Sequence, residues 1–143
     1  MTIMTEKFKI LAKFIRDLSS ETPDIETYLF VKDTITRYKM DIDINSRALK
    51  NNMIEINTSL KFEDKNQAKN KSLFEINYVT VIKIDESVKD KKELEKIILC
   101  DVQNKIYPDL EKSFLDLIHN SGYPEMKLEK KVDFNFLYNQ RAN

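Results

Sequence analysis

The side chains able to do chemistry are few in this 143-residue chain: one histidine, His119, and one cysteine, Cys100. An imidazole titrates near neutrality and could move protons, and a thiol could attack once ionised. The two would have to meet to act as a nucleophile and its base, and nothing in their spacing brings them together. His119 falls near the end of a helical pattern, where a capping or surface role is expected, and Cys100 lies beside an apolar helical face, as a small buried hydrophobe would. A structural zinc site needs several Cys or His ligands, so one of each does not suffice. Asp41, Asp43 and Glu55 could offer oxygens to a hard cation, but they alternate with apolar neighbours as a solvated strand face does. Gly122 is the only glycine, which excludes the glycine-rich turns that bring backbone against phosphate or dinucleotide. The expectation is a protein without catalytic residues, metal or cofactor, hence not an enzyme.

The elements that carry these residues change period once along the chain. Phe8, Ile10, Ala12 and Phe14 alternate with lysines in a strand over 7–20, ended by Pro23 and Asp24. Residues 25–38 hold Tyr28, Leu29, Phe30 and Val31 in a row without a clean period, and read as a long crossover or, alternatively, a short helix. Met40, Ile42 and Ile44 begin a second strand; Ile54, Ile56, Thr58, Leu60 and Phe62 form a third; and 73–84 form a fourth through Phe74, Ile76, Tyr78 and Ile82. From Leu94 the spacing turns helical. Ile97, Ile98, Val102 and Ile106 describe one face, and Leu110, Phe114, Leu117 and Ile118 another, with Pro108 kinking one helix or starting a second. Residues 120–122 and Pro124 close this stretch, and Phe134, Leu137 and Tyr138 predict a short helix over 133–141. Four consecutive strands followed by helices predict an α+β fold, a four-stranded antiparallel sheet with C-terminal helices on one face, leaving the other face for water or a partner. A single domain spanning 1–143, with short flexible ends, is expected.

Charge narrows the choice of partners. The chain holds 24 basic and 24 acidic side chains, interspersed, so no global field draws it to nucleic acid or an anionic membrane. The nearest basic run, Lys127, Lys130 and Lys131 around Glu129, reads as a solvated face. No window reaches the roughly 20 apolar residues of a membrane span. A lone cysteine and the lack of an export leader predict a reducing, cytoplasmic location.

Several local patterns then carry a resemblance. Arg16-Asp17-Leu18-Ser19-Ser20-Glu21-Thr22-Pro23 resembles the basic-Asp-hydrophobic-Ser-x-Glu-x-Pro signature of the bacterial protein-export chaperone SecB. Leu73-Phe74-Glu75-Ile76 resembles the start of that family's fourth strand. Tyr107-Pro108, Gly122-Tyr123-Pro124, Leu128, Val132-Asp133-Phe134 and Leu137-Tyr138 resemble its helical and C-terminal signatures, so the likeness runs from Lys7 to Tyr138. It implies an ATP-independent holding chaperone that assembles as a homotetramer, a dimer of dimers. Such a chaperone binds unfolded preproteins in hydrophobic grooves and passes them to the SecA motor. It implies SecA contacts at Asp17, Glu21, Leu73 and Glu75, and a client groove walled by Ile25, Tyr28, Leu29, Phe30 and Val31. A holdase of this kind needs no special side chain, because apolar burial, about 25 cal/mol per Å², and backbone pairing do not discriminate among sequences.

The sequence departs from that pattern where Val79-Thr80 replaces a Gly-Gly pair and Asp109-Leu110-Glu111 follows Pro108. The neutral charge also departs from the usual acidity of such chaperones. These features motivate a second reading, a SecB-like chaperone dedicated to another partner such as an antitoxin. A small-ligand enzyme or binding module is the third reading, and it lacks a base, a metal set or a glycine loop.

Overall fold

In the computed structural model, residues 7–67, 69–128 and 131–142 are described; Glu129, Lys130 and the outermost ends lie outside them. Four strands, β1 (Phe8–Glu21), β2 (Lys39–Ala48), β3 (Met53–Glu63) and β4 (Leu73–Ile84), form one antiparallel sheet in the order β1-β4-β3-β2. The hairpin between β2 and β3 turns on Asn51 and Asn52, both at positive φ. Two such residues in succession match the twist of paired strands, and asparagine tolerates them better than most side chains.

Strict alternation holds in β3 and β4 and fails in β1. Ile54, Ile56, Leu60 and Phe62 on β3, and Phe74, Ile76 and Ile82 on β4, are buried beneath the helices. Along β1 the register slips between Ile10 and Ala12 and again between Ile15 and Asp17. Each slip inserts one residue and reverses the face of those that follow. Ala12 and Phe14, expected beside Phe8 and Ile10, therefore lie opposite Val81 and Val79 on the outer face, while Lys13 turns inward and its Nζ meets Asp109 Oδ2 at 3.0 Å. The alternation of the sequence does not reveal a bulge, because a bulge is chosen by the partner strand.

The segment 25–38, read first as a crossover, is helical. α1 (Ile25–Thr34) is followed by a single 3₁₀ turn over Ile35–Arg37. Asp24 caps α1, its Oδ1 accepting the Thr27 N–H at 2.8 Å, and this bond holds the carboxyl below its ordinary pKa.

The C-terminal part also differs from the two-helix expectation. α2 (Lys91–Lys96) runs through a π-helical turn, Ile97–Asp101, into α3 (Val102–Asn120), which passes straight over Pro108. Pro108 faces solvent, where water can serve the carbonyl that its missing N–H leaves free. The wider π turn is stabilised by Gln103, which is completely buried. Its Nε2 donates to the Ile98 carbonyl at 3.1 Å and its Oε1 accepts from Thr58 Oγ1 at 3.0 Å. A buried amide satisfied on both sides ties helix to sheet at the centre of the core. Ile106, Leu110, Phe114 and Ile118 follow at four-residue intervals and are fully buried, one apolar stripe set against the sheet. α4 (Phe134–Ala142) closes the chain.

Candidate functional site

Two surfaces collect the residues singled out by the sequence, and neither resembles a reaction centre. Cys100 is buried, its Sγ hydrogen-bonded to Asn135 Oδ1 and approached by Asn104 Nδ2. Burial pushes its thiol above the ordinary value, which opposes formation of a thiolate. His119 Nε2 donates to the Met126 carbonyl at 2.7 Å, so it ties the loop after α3 to that helix. Asp41 pairs with Lys65 and Glu55 with Arg47 on the outer sheet face. Among the described residues no three metal-binding side chains cluster.

The first surface is a groove beside α1 and the β2 edge. Its wall begins at Gly122, where α3 ends with the Gly122 N–H bonded to His119 O and the Tyr123 N–H bonded to Ile118 O. Those two bonds make a Schellman end, which places its C′ residue at positive φ, and Gly122 has φ 109°. Tyr28 lies against this turn. Its hydroxyl donates to the Gly122 carbonyl at 2.8 Å, and its ring sits 5.3 Å from that of Tyr123. Tyr123 meets Phe74 edge-on at 5.7 Å, and Phe62 and Tyr38 continue the aromatic cluster. Met40 and Ile42 of β2 and Met126 and Val132 of the C-terminal segment complete an apolar cavity of about 1340 Å³. That exceeds the 300–1,000 Å³ typical of small-molecule pockets. β2 is also a sheet edge, so its outer N–H and C=O groups are available to an extended peptide.

Of the five crossover residues, Tyr28 alone lines this cavity. Val31 is completely buried and belongs to the core, so it forms no part of a free surface. Ile25, Leu29 and Phe30 are exposed on α1, as are Phe136 and Leu137 on α4. Sequence reasoning missed Tyr38, Met40, Tyr123 and Met126 as lining residues. The apolar side chains at 123–137 lacked any period, and that irregularity in an otherwise patterned chain was the available signal.

The second surface is the outer sheet face. Glu21 stands opposite Leu73, Ser19 opposite Glu75, and Asp17 opposite Asn77. Directly opposed residues of antiparallel strands share a face, so Asp17, Glu21, Leu73 and Glu75 come together there. The second bulge of β1 is what turns Asp17 outward. Glu75 is also opposite Lys61 on β3.

Glu63 anchors the same end of this face. Lys61 and Lys71 reach its carboxylate at 3.3 and 3.2 Å. Burial alone pushes that carboxyl upward, but the two lysines outweigh it and hold its pKa below the ordinary 4.5. A carboxylate lowered on folding contributes stability above its unfolded value and loses it as pH falls through the folded one. Glu63→Gln is therefore expected to lower stability at pH 7 and to flatten its decline below pH 5. Urea melts of both proteins between pH 3 and 7 check this, and parallel curves would contradict it.

Comparison with known proteins agrees with these two surfaces. Residues 3–143 match the family model described as preprotein translocase subunit SecB. A putative protein-export protein SecB of Pelagibacter ubique is 61% identical over 98% of this chain and 100% of its own length. The protein-export protein SecB of Parvibaculum lavamentivorans is 23% identical over 94% and 79% of the two chains. Among solved structures, a SecB-like chaperone of Mycobacterium tuberculosis, in complex with a ChAD peptide from an antitoxin, superposes with a TM-score of 0.67. It is 14% identical and covers 88% of this chain and 91% of its own, a likeness of fold. A chain with an open apolar groove, an uncovered acidic sheet face and a full-length match of this kind belongs to the SecB family of protein-export chaperones.

Proposed function

We propose that this protein is an ATP-independent holding chaperone that takes unfolded preproteins into the groove beside α1 and delivers them to the SecA motor in the cytoplasm. The observation that carries this reading is the groove itself, an aromatic and methionine-lined cleft beside an unpaired strand edge. Apolar lining supplies affinity without direction, methionine adapts to irregular shapes, and the β2 edge pairs with any extended backbone. Together they select for the unfolded state rather than for a sequence. Family membership supports the same reading.

Delivery calls for a second surface that stays free while a client is held. The outer sheet face, with Asp17, Glu21 and Glu75 around Leu73, lies on the opposite side of the sheet from the helices and suits a basic partner module. Charge there would speed encounter, and the apolar centre would add burial.

The test is suppression of light scattering by an unfolded preprotein on dilution, at stoichiometric chaperone and without nucleotide. Met40→Asp with Ile42→Asp should reduce the protection at least several-fold, since each change sets a charge on the groove lining. No protection by the wild type at micromolar concentration would sink the proposal. Reversal of Asp17, Glu21 and Glu75 to Lys should abolish SecA binding and leave protection intact.

A second reading is favoured by the fold shared with the mycobacterial chaperone, whose described complex is with an antitoxin peptide. Under it the groove serves one dedicated partner. Unchanged SecA affinity after the triple reversal would favour this reading.

A further inference from the structure

The neutral total of the chain conceals an uneven distribution around the groove. Four ammonium groups, Lys32, Lys39, Lys127 and Lys131, line the cavity, against two carboxylates, Glu125 and Asp133. Asp133 is already engaged, its Oδ1 accepting the Phe136 N–H at 3.0 Å at the start of α4. The lysines that do form ion pairs, among them Lys13, Lys61, Lys65 and Lys71, lie elsewhere on the protein. Among the described residues none of the four groove lysines has a carboxylate within ion-pair distance. They come from three separate parts of the chain: the last turn of α1, the start of β2 and the segment between α3 and α4. The cationic rim is thus a product of the fold and not of a run in the sequence.

From this arrangement we infer that the groove selects among unfolded chains by charge, preferring apolar segments flanked by aspartate or glutamate over those flanked by lysine or arginine. The inference rests on the groove being the client site. An occupant lying on the Tyr38, Met40 and Phe62 floor carries its flanking residues past the rim, within a Debye length of several ammonium groups at physiological salt. Each exposed pairing contributes little. Three or four acting together give a preference of roughly three- to tenfold at low ionic strength. The rule follows from charge complementarity alone, so it leaves the apolar core of the client unrestricted. Basic stretches of a client would be left outside the groove.

Two synthetic peptides with the same Leu/Phe/Ile centre, one flanked by glutamates and one by lysines, test the rule by titration calorimetry against the full chain. The glutamate peptide should bind three- to tenfold more tightly at 20 mM salt, with the difference vanishing near 0.5 M salt. Lys32→Gln, Lys127→Gln and Lys131→Gln together should erase the preference while leaving the melting curve unchanged. Equal or tighter binding of the lysine peptide, or a preference that survives the triple change, overturns the charge rule and leaves the groove intact. Failure of both peptides to bind overturns the groove reading as well.

Discussion

Gly122→Ala is expected to destabilise the fold by about 2–4 kcal/mol and to weaken client binding with it. A Cβ on Gly122 would stand 2.6 Å from Cε1 of Tyr28, and the backbone there has φ 109°, so two costs add. An L-residue at that φ is strained by roughly 1–2 kcal/mol, and relief of the clash requires the Tyr28 ring to move. Movement breaks the hydroxyl bond to the Gly122 carbonyl and the stack on Tyr123, and it pushes a ring into the groove that Tyr28 lines. The two costs can be separated. Combining Gly122→Ala with Tyr28→Ala removes the clash but not the backbone strain, so a double-mutant cycle should show a favourable coupling of about 1–2 kcal/mol. A Gly122→Ala protein within 0.5 kcal/mol of wild type by urea denaturation would show that this account of the groove wall is wrong.

Ile15→Lys with Leu18→Lys should dismantle the assembly. β1 is an edge strand, and it leaves Leu11, Phe14, Ile15 and Leu18 between 43 and 51% exposed. A long apolar edge is an aggregation hazard unless something covers it, and a second copy of the same strand is the self-complementary cover available to a two-fold dimer. Four copies of the 17.0 kDa chain would weigh about 68 kDa. Two lysines per edge would face their counterparts across the axis, where like charges oppose pairing. Light scattering should record a fall in mass to that of the single chain or of a residual dimer, with the folded circular dichroism retained, because neither residue belongs to the buried core. An unchanged mass would move the interface to another surface, and a wild type that is itself a monomer would remove the assembly from the proposed function.

The sheet and its order of strands were legible because β3 and β4 obey period two almost without exception, and a face buried under helices makes every slip costly. The apolar stripe of α3 was legible for the same reason at period 3.6. α1 was ambiguous because its apolar residues serve three surroundings: Val31 faces the core, Tyr28 lines the groove and Ile25 and Leu29 meet solvent. A helix divided in this way has no single stripe to read. The groove residues after α3 carry no period at all, since they are held by the His119 bond to the Met126 carbonyl and by aromatic contacts rather than by a regular element.

Sequence by itself determined the absence of a glycine cradle and of a Cys/His ligand set, the α+β class and the signatures shared with SecB, because each depends on residue identity or on spacing within one element. Tertiary structure alone decided which faces those elements show. Two bulges in β1 turn Asp17 outward and Lys13 inward, and three distant segments bring four lysines to one apolar cleft. Such placements are set by partner strands and chain reversals far away in sequence, so no local pattern of residues encodes them.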